Sequence, residues 1–249
     1  MTENISFPSK EIFEEKIYDI FKKNSLEMWL DGDKVNKFYN LAVALVETNK
    51  SLNLTAVTDA EGIILKHFAD SLIAVGEFPE DARVIDVGCG GGFPTFPLAI
   101  ARPDLKITAL DSTEKKIRYV QNTANQLGLR IHAISARAED LAKDPNHREQ
   151  YDISISRAVA RLNLLDELCI PFTKVGGEFI ALKGAAGIDE KQEAEIGIQR
   201  LGGQIKESPE YDLFTATETE KRFIIRVSKI QSTPKEFPRA FGAIKKRPL

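Results

Sequence analysis

The chain has 249 residues, 43% hydrophobic and 29% charged, an ordinary mix for a globular protein with a packed core. A net charge of −3 excludes a global electrostatic pull towards nucleic acid. No apolar run is long enough to cross a bilayer, and Met1-Thr2-Glu3-Asn4-Ile5 lacks a basic-then-apolar signal, so no membrane partner and a cytoplasmic location are expected.

Residues 8–30 carry Ile12, Phe13, Ile17, Ile20 and Phe21 near helical period, with Ser9 placed to cap, and predict a first helix. A second is expected from Lys34 to Lys50 through Val35, Phe38, Leu41, Ala42, Leu45 and Val46. Asp59 is placed to cap a third, through Ile63, Ile64, His67, Phe68 and Leu72. Residues 1–80 are thus expected to be a helical N-terminal extension. From Ala82 the pattern changes to alternating strand and helix. Strands are expected at 83–87, 106–110, 130–134, 151–156, 177–182, 203–207 and 222–228, and helices near 95–101, 113–128, 138–143, 161–174 and 188–201, with Gly128 and Gly202 as stops. This alternation predicts an α/β fold over residues 81–230, a mostly parallel sheet with helices on both faces. Residues 231–249 form a tail in which Lys235, Arg239, Lys245, Lys246 and Arg247 face only Glu236, a net of +4.

The most informative stretch is Val84-Ile-Asp-Val-Gly-Cys-Gly-Gly-Gly-Phe-Pro94, an apolar run that breaks into glycines. Strand, glycine turn and helix form the layout that lets backbone N–H groups approach a ligand closely. Gly88, Gly90, Gly91 and Gly92 are followed by Phe93 where a dinucleotide fingerprint needs its third glycine, and Asp86 closes the strand. Asp-x-Gly-x-Gly is instead the pattern of S-adenosylmethionine sites. In parallel sheets ligands bind beyond the carboxyl ends of the strands, near the point where strand order reverses. That rule selects Asp111, which follows the second strand and suits a ribose hydroxyl pair or the cap of the helix that starts near Thr113, and Ala138-Glu139 after the third strand. It also selects Ser156-Arg157-Ala158 and Lys183-Gly184. Amino-group methyltransferases carry an Asn/Asp-Pro-Pro-aromatic loop after the fourth strand. That loop is absent here, and Arg157 stands there as a positioning cation. Two cysteines, Cys89 and Cys169, and three scattered histidines have no metal-ligand spacing, so no metal is expected. Cys89, with no base near it in sequence, reads as a small loop residue, and the role of His67 stays open.

Taken together, several motifs resemble one family. They are Asn53-Leu-Thr55, His67 with Asp70-Ser71, the glycine loop, Asp111-Ser112, Ser156-Arg157-Ala158, Leu182-Lys-Gly184 and the terminal Pro238-Arg239, Lys245-Lys246 and Pro248-Leu249. The chain from about residue 35 onward resembles the bacterial 16S ribosomal RNA guanine-N7 methyltransferases, also called glucose-inhibited division protein B. The resemblance implies a class I, Rossmann-like methyltransferase fold, S-adenosyl-L-methionine as methyl donor and the 16S ribosomal RNA of the small ribosomal subunit as partner. It matches the donor contacts to Gly88, Phe93, the stretch from Asp111, Ala138-Glu139 and Arg157; Gly90, Ser112 and Thr113 complete the expected donor set. Arg222, Lys235, Arg239, Lys245, Lys246 and Arg247 are expected to bind RNA. Thr95-Phe96, Ala240-Phe241 and Ala243 depart from the family pattern. Guanine N7 carries an outward lone pair and loses no proton on attack, so no catalytic base is expected, and His67 is expected not to be one. The competing readings are a nicotinamide-dependent oxidoreductase, a methyltransferase with another RNA, protein or small-molecule acceptor, and a non-catalytic ribosome-binding module.

Overall fold

The computed structural model describes residues 7–185, 187–207, 209–215 and 218–249. Helix α1 (Lys10–Lys23) turns Phe13, Ile17 and Phe21, spaced four apart, into the core. It stops well short of the expected residue 30, because Ser25 takes φ 56° and a short 3₁₀ turn follows at Glu27–Trp29. Helix α2 (Gly32–Leu52) starts two residues early, since the Asp31 carboxylate accepts a hydrogen bond from Lys34 N at 2.9 Å. The third helical run begins with α3 (Ala60–Gly62), capped as expected by Asp59, which accepts from Gly62 N at 2.7 Å. It widens into a π-helical stretch at Ile63–Ala69 and ends in α4 (Asp70–Leu72). The wide turns place His67, Asp70 and the Lys66 carbonyl on one side, facing Arg157.

The sheet contains β1 (Arg83–Val87), β2 (Lys106–Asp111), β3 (Ile131–Ser135), β4 (Tyr151–Arg157), β5 (Thr173–Lys183), β6 (Gly203–Ile205), β7 (Glu210–Phe214) and β8 (Thr219–Lys229). Its order is β3-β2-β1-β4-β5-β8-β6, with β7 paired to β8. The first five strands are mutually parallel, whereas β8 runs antiparallel to β5, β6 and β7. The hairpin partner β7 is absent from the expected elements. Its Glu210-Tyr-Asp-Leu-Phe214 buries only Leu213 and gives little apolar signal. Helices α5 (Thr95–Ala101), α6 (Glu114–Gln126), α7 (Ala138–Leu141), α8 (Leu162–Cys169), α9 (Gly187–Arg200) and α10 (Phe241–Lys246) complete the fold. Pro171 explains why the helix expected to reach 174 gives way to a 3₁₀ turn at Ile170–Phe172, so β5 starts earlier than expected.

Two apolar layers cover the sheet. One unites Phe13, Phe21, Phe38 and Phe68 of the N-terminal helices with Phe96, Val120 and the sheet residues Val84, Ile107 and Ile155. The other joins Leu165, Ile198, Phe237 and Ile244 to Ile85, Phe179 and Val227. The N-terminal helices therefore share a core with one sheet face, and the tail is anchored in the other. Strand order reverses between β1 and β4, which places the ends of both at one crevice.

Candidate active site

The turn after β1 folds back on β2, with Gly88 N and Cys89 N donating to Leu110 O at 2.8 and 3.0 Å. A Cβ on Gly88 (φ +79°) would come within 2.5 Å of Val159, and one on Gly92 (φ +87°) would enter the Phe96 ring. Gly90 (φ +55°) differs: its nearest neighbour in that direction is Gly88 O at 3.9 Å, so the place of its missing side chain is open. That space belongs to a cavity of about 510 Å³, within the range of about 300–1,000 Å³ usual for small-molecule sites. Gly88, Gly90, Phe93, Asp111, Ser112, Ala138, Glu139 and Arg157 all line it. Thr113 does not line it; it stands at the N-cap position of α6, where its own N–H donates to Asp111 Oδ1 at 2.8 Å. The other Asp111 oxygen accepts from Gly90 N at 3.1 Å, so one carboxylate holds the glycine loop and still faces the cavity. Glu139, 5% exposed, has one weak contact, Arg137 at 3.5 Å, and can accept from a ligand.

Asp86 lies behind this wall, fully buried. Its Oδ2 accepts from Thr95 Oγ1 at 2.6 Å and Thr95 N at 3.3 Å, while Oδ1 has no partner. Burial pushes its carboxyl up to about 7. Cys89 is buried, and burial and the nearby carboxylates push its thiol well up, which leaves no activated nucleophile.

Arg157, at the end of β4, is held from several sides. Its NH1 donates to Lys66 O at 2.6 Å and Asp70 Oδ2 at 2.8 Å, NH2 reaches His67 Nδ1 at 3.4 Å, and the guanidinium lies 5.7 Å from the Phe93 ring centre. A guanidinium only donates, so His67 Nδ1 accepts and Nε2 carries the hydrogen, given to Thr55 Oγ1 at 2.7 Å. The imidazole also stacks on Phe93 at 4.5 Å. Burial first, then the Arg157 charge, lowers the His67 pKa to about 4. Asp70 binds Arg222 as well, through Oδ1 at 2.6 Å, and so ties the N-terminal helices to β4 and β8 at once.

A second cavity of about 590 Å³ adjoins the first and shares His67, Arg157, Ala158 and Val159 with it. Lys66, Arg157, Arg161, Lys183 and Arg222 reach this basin against the carboxylates of Asp70 and Glu190. Lys183 donates to Glu190 at 2.8 Å and to Ala160 O, bracing the loop that divides the cavities.

Among the cations expected to bind RNA, Lys235, Lys245, Lys246 and Arg247 are exposed. Arg222 and Arg239 are not available in the same way. Arg222 is engaged by Asp70 and Glu220, and Arg239 by the fully buried Glu167 at 2.6 Å. The expected residues also omit Leu54, Lys116, Arg137, Leu168 and Phe241, all in the wall of the donor-sized cavity. Arg137 follows β3 and falls under the strand-end rule that selected Ala138. Phe241 lies far from any strand end, and nothing local in the sequence points it at the cavity.

Residues 34–212 match the family model "rRNA small subunit methyltransferase G". A protein named ribosomal RNA small subunit methyltransferase G from Halalkalibacterium halodurans is 43% identical over 223 residues, 88% of this chain and 93% of that protein. One of the same name from Clostridium perfringens is 43% identical over 237 residues, covering 93% and 98%. Among solved structures, the YcgJ protein of Bacillus subtilis superposes with TM-score 0.52 at 13% identity, over 67% of this chain and all of the other. Pyrococcus horikoshii TYW2 in complex with MeSAdo gives 0.50 at 14% identity, over 65% and 62%; both likenesses speak to the fold alone. The glycine turn, the reversal of strand order and these relatives agree: the chain belongs to the rRNA small subunit methyltransferase G family.

Proposed function

We propose that this protein transfers the methyl group of S-adenosyl-L-methionine to N7 of a guanine in the 16S ribosomal RNA of the small ribosomal subunit, in the cytoplasm. The observation that carries this reading is the meeting of two cavities at Arg157–Val159, one walled by the glycine turn and carboxylates, the other ringed by cations. The donor's sulfonium supplies an activated methyl group when bound. In the first cavity Gly90 allows close approach, Asp111 and Glu139 accept from hydroxyl or amine donors, and Phe93 and Leu110 give apolar surface. In the second, the solvent-exposed Lys66 and Arg161 can reach phosphates of the acceptor strand, Arg157, Lys183 and Arg222 are held by Asp70, Glu190 and Glu220 as a fixed rim, and Val159 and Ala158 form the partition across which the acceptor faces the donor.

A base-free reaction suits these side chains. His67 has its Nδ1 directed at Arg157, its one N–H, on Nε2, given to Thr55 and its pKa lowered to about 4, so it stays neutral at pH 7, with no acidic proton to supply and its acceptor nitrogen already engaged. Arg157 cannot act as a base at all. What these residues can supply is alignment of the reacting atoms and exclusion of water. The test is to incubate the protein with labelled donor and small subunits that lack the modification, then map the product by cleavage at N7-methylguanine. Label at one guanine N7 is expected. Label on an exocyclic amine, on protein or on a small molecule would overturn the acceptor assignment.

A further inference from the structure

The C-terminal segment was expected to act only on RNA, yet it reaches the donor-sized cavity. Phe241, the first residue of α10, is part of that cavity's wall, and the Arg137 guanidinium lies 5.4 Å from its ring centre. One turn later Ile244 is fully buried. Lys245, one turn on from Phe241, and Lys246, followed by Arg247, are exposed to solvent. The segment is also held in place from below. Arg239 donates through its backbone N–H at 2.7 Å and its side chain at 2.6 Å to Glu167, which is fully buried on α8 beside Leu168, another residue of the cavity wall.

We infer that α10 couples the two substrates: Phe241 closes the methyl-donor cavity, and RNA phosphates bound at Lys245, Lys246 and Arg247 hold that wall down, so that donor and RNA each tighten the binding of the other. The inference rests on the donor-and-RNA reading above and adds a coupling that the reading does not require. The physical basis is that one rigid element carries both contacts. A ligand that favours the docked position of α10 lowers the cost of docking for the second, and such linkage is reciprocal. The Glu167–Arg239 pair positions the segment without touching either ligand.

The test measures S-adenosylhomocysteine binding to the full chain by calorimetry, with and without saturating small-subunit ribosomal RNA at fixed salt. It compares wild type, Phe241→Ala, Phe241→Leu and a triple variant with Lys245→Glu, Lys246→Glu and Arg247→Glu. Phe241→Ala is expected to weaken binding of the probe by roughly three- to tenfold, the scale of one lost aromatic contact, and Phe241→Leu by less. RNA is expected to tighten binding of the probe to the wild type, and the triple charge variant to lose that gain. Equal affinity in wild type and Phe241→Ala would overturn the wall assignment. RNA that binds the wild type without changing its affinity for the probe would overturn the coupling. A wild type that binds neither probe nor RNA would instead sink the underlying reading. Should thermal melts show that Phe241→Ala unfolds, Phe241→Leu and the surface charge variant carry the decision.

Discussion

Gly88, Gly90 and Gly92 all have positive φ, but they differ in what a side chain would meet. At Gly88 and Gly92 a Cβ collides with Val159 or Phe96, whereas at Gly90 it enters the cavity. Gly92→Ala is therefore expected to lower stability by roughly 1–3 kcal/mol through overpacking, read as a shift in the urea midpoint. Gly90→Val, strained at a φ of +55° but meeting no close neighbour, should keep the overall fold by circular dichroism and lose binding of S-adenosylhomocysteine; retained affinity would remove the donor from this cavity. His67 offers a second test at this scale. Its neutral ring, with a pKa lowered to about 4, stays in one protonation state above pH 6. The ratio of single-turnover methyl-transfer rates for wild type and His67→Gln should thus be constant from about pH 6 to 9. A ratio that climbs tenfold per unit through the ~6.5 of an ordinary histidine would make His67 a base.

At the scale of elements, Asp70 is the joint between the N-terminal helices and the carboxyl ends of two strands. It sits between Arg157 at 2.8 Å and Arg222 at 2.6 Å, all three side chains at most 16% exposed. Asp70→Asn leaves Arg157 without its counter-charge and Arg222 with Glu220 alone, at 2.7 Å, a loss of roughly 3 kcal/mol for groups so poorly solvated. It should also slow methyl transfer with little change in donor affinity, because Arg157 would lose the anchor that aims it. A Kd for S-adenosylhomocysteine that collapses along with the rate would mean Asp70 serves the donor cavity directly. The π-helical turn at Ile63–Ala69 makes this joint possible, since it presents Lys66 O, His67 and Asp70 to the same guanidinium.

For the whole molecule, two buried carboxyls set a pH dependence of stability. Burial raises Asp86 to about 7 and Asp166 to about 8, and each has one buried oxygen with no partner. The unfolded chain releases these protons near 3.8 while the folded chain keeps them. Each group therefore favours folding at low pH, and its contribution falls by up to ~1.4 kcal/mol per pH unit as pH rises through that window. His67 acts with the opposite sign: its depressed pKa adds stability as pH rises from about 4 to 6.5. Urea titrations of wild type and Asp166→Asn separate these effects, and the variant should gain on the wild type steadily from about pH 4 to 8. A gap that stays constant over that range would mean Asp166 is ionised in the fold.

The sequence by itself determined the elements whose cause is local. Asp59 capping the third helical run, the glycine turn after Val87, the stops at Gly128 and Gly202 and the alternation from Ala82 each depend on neighbouring residues, and each is present. That Gly88, Gly90, Phe93, Asp111, Ser112, Ala138, Glu139 and Arg157 share one cavity wall was legible for a different reason, the rule that strand ends in a parallel sheet converge on one crevice together with the family resemblance. Boundaries set by a competing neighbour were not: Ser25 and Pro171 stop helices whose apolar period continues past them. Only the tertiary structure decided which charges are engaged. Arg222 lies 152 positions from Asp70 in the chain and Arg239 lies 72 from Glu167, so no local pattern shows that these two cations, unlike Lys245 and Lys246, are neutralised inside the fold. The same holds for Phe241. Its place in the donor-sized cavity follows from a tail packed across α8, a contact between segments far apart in sequence that only chain compaction brings together.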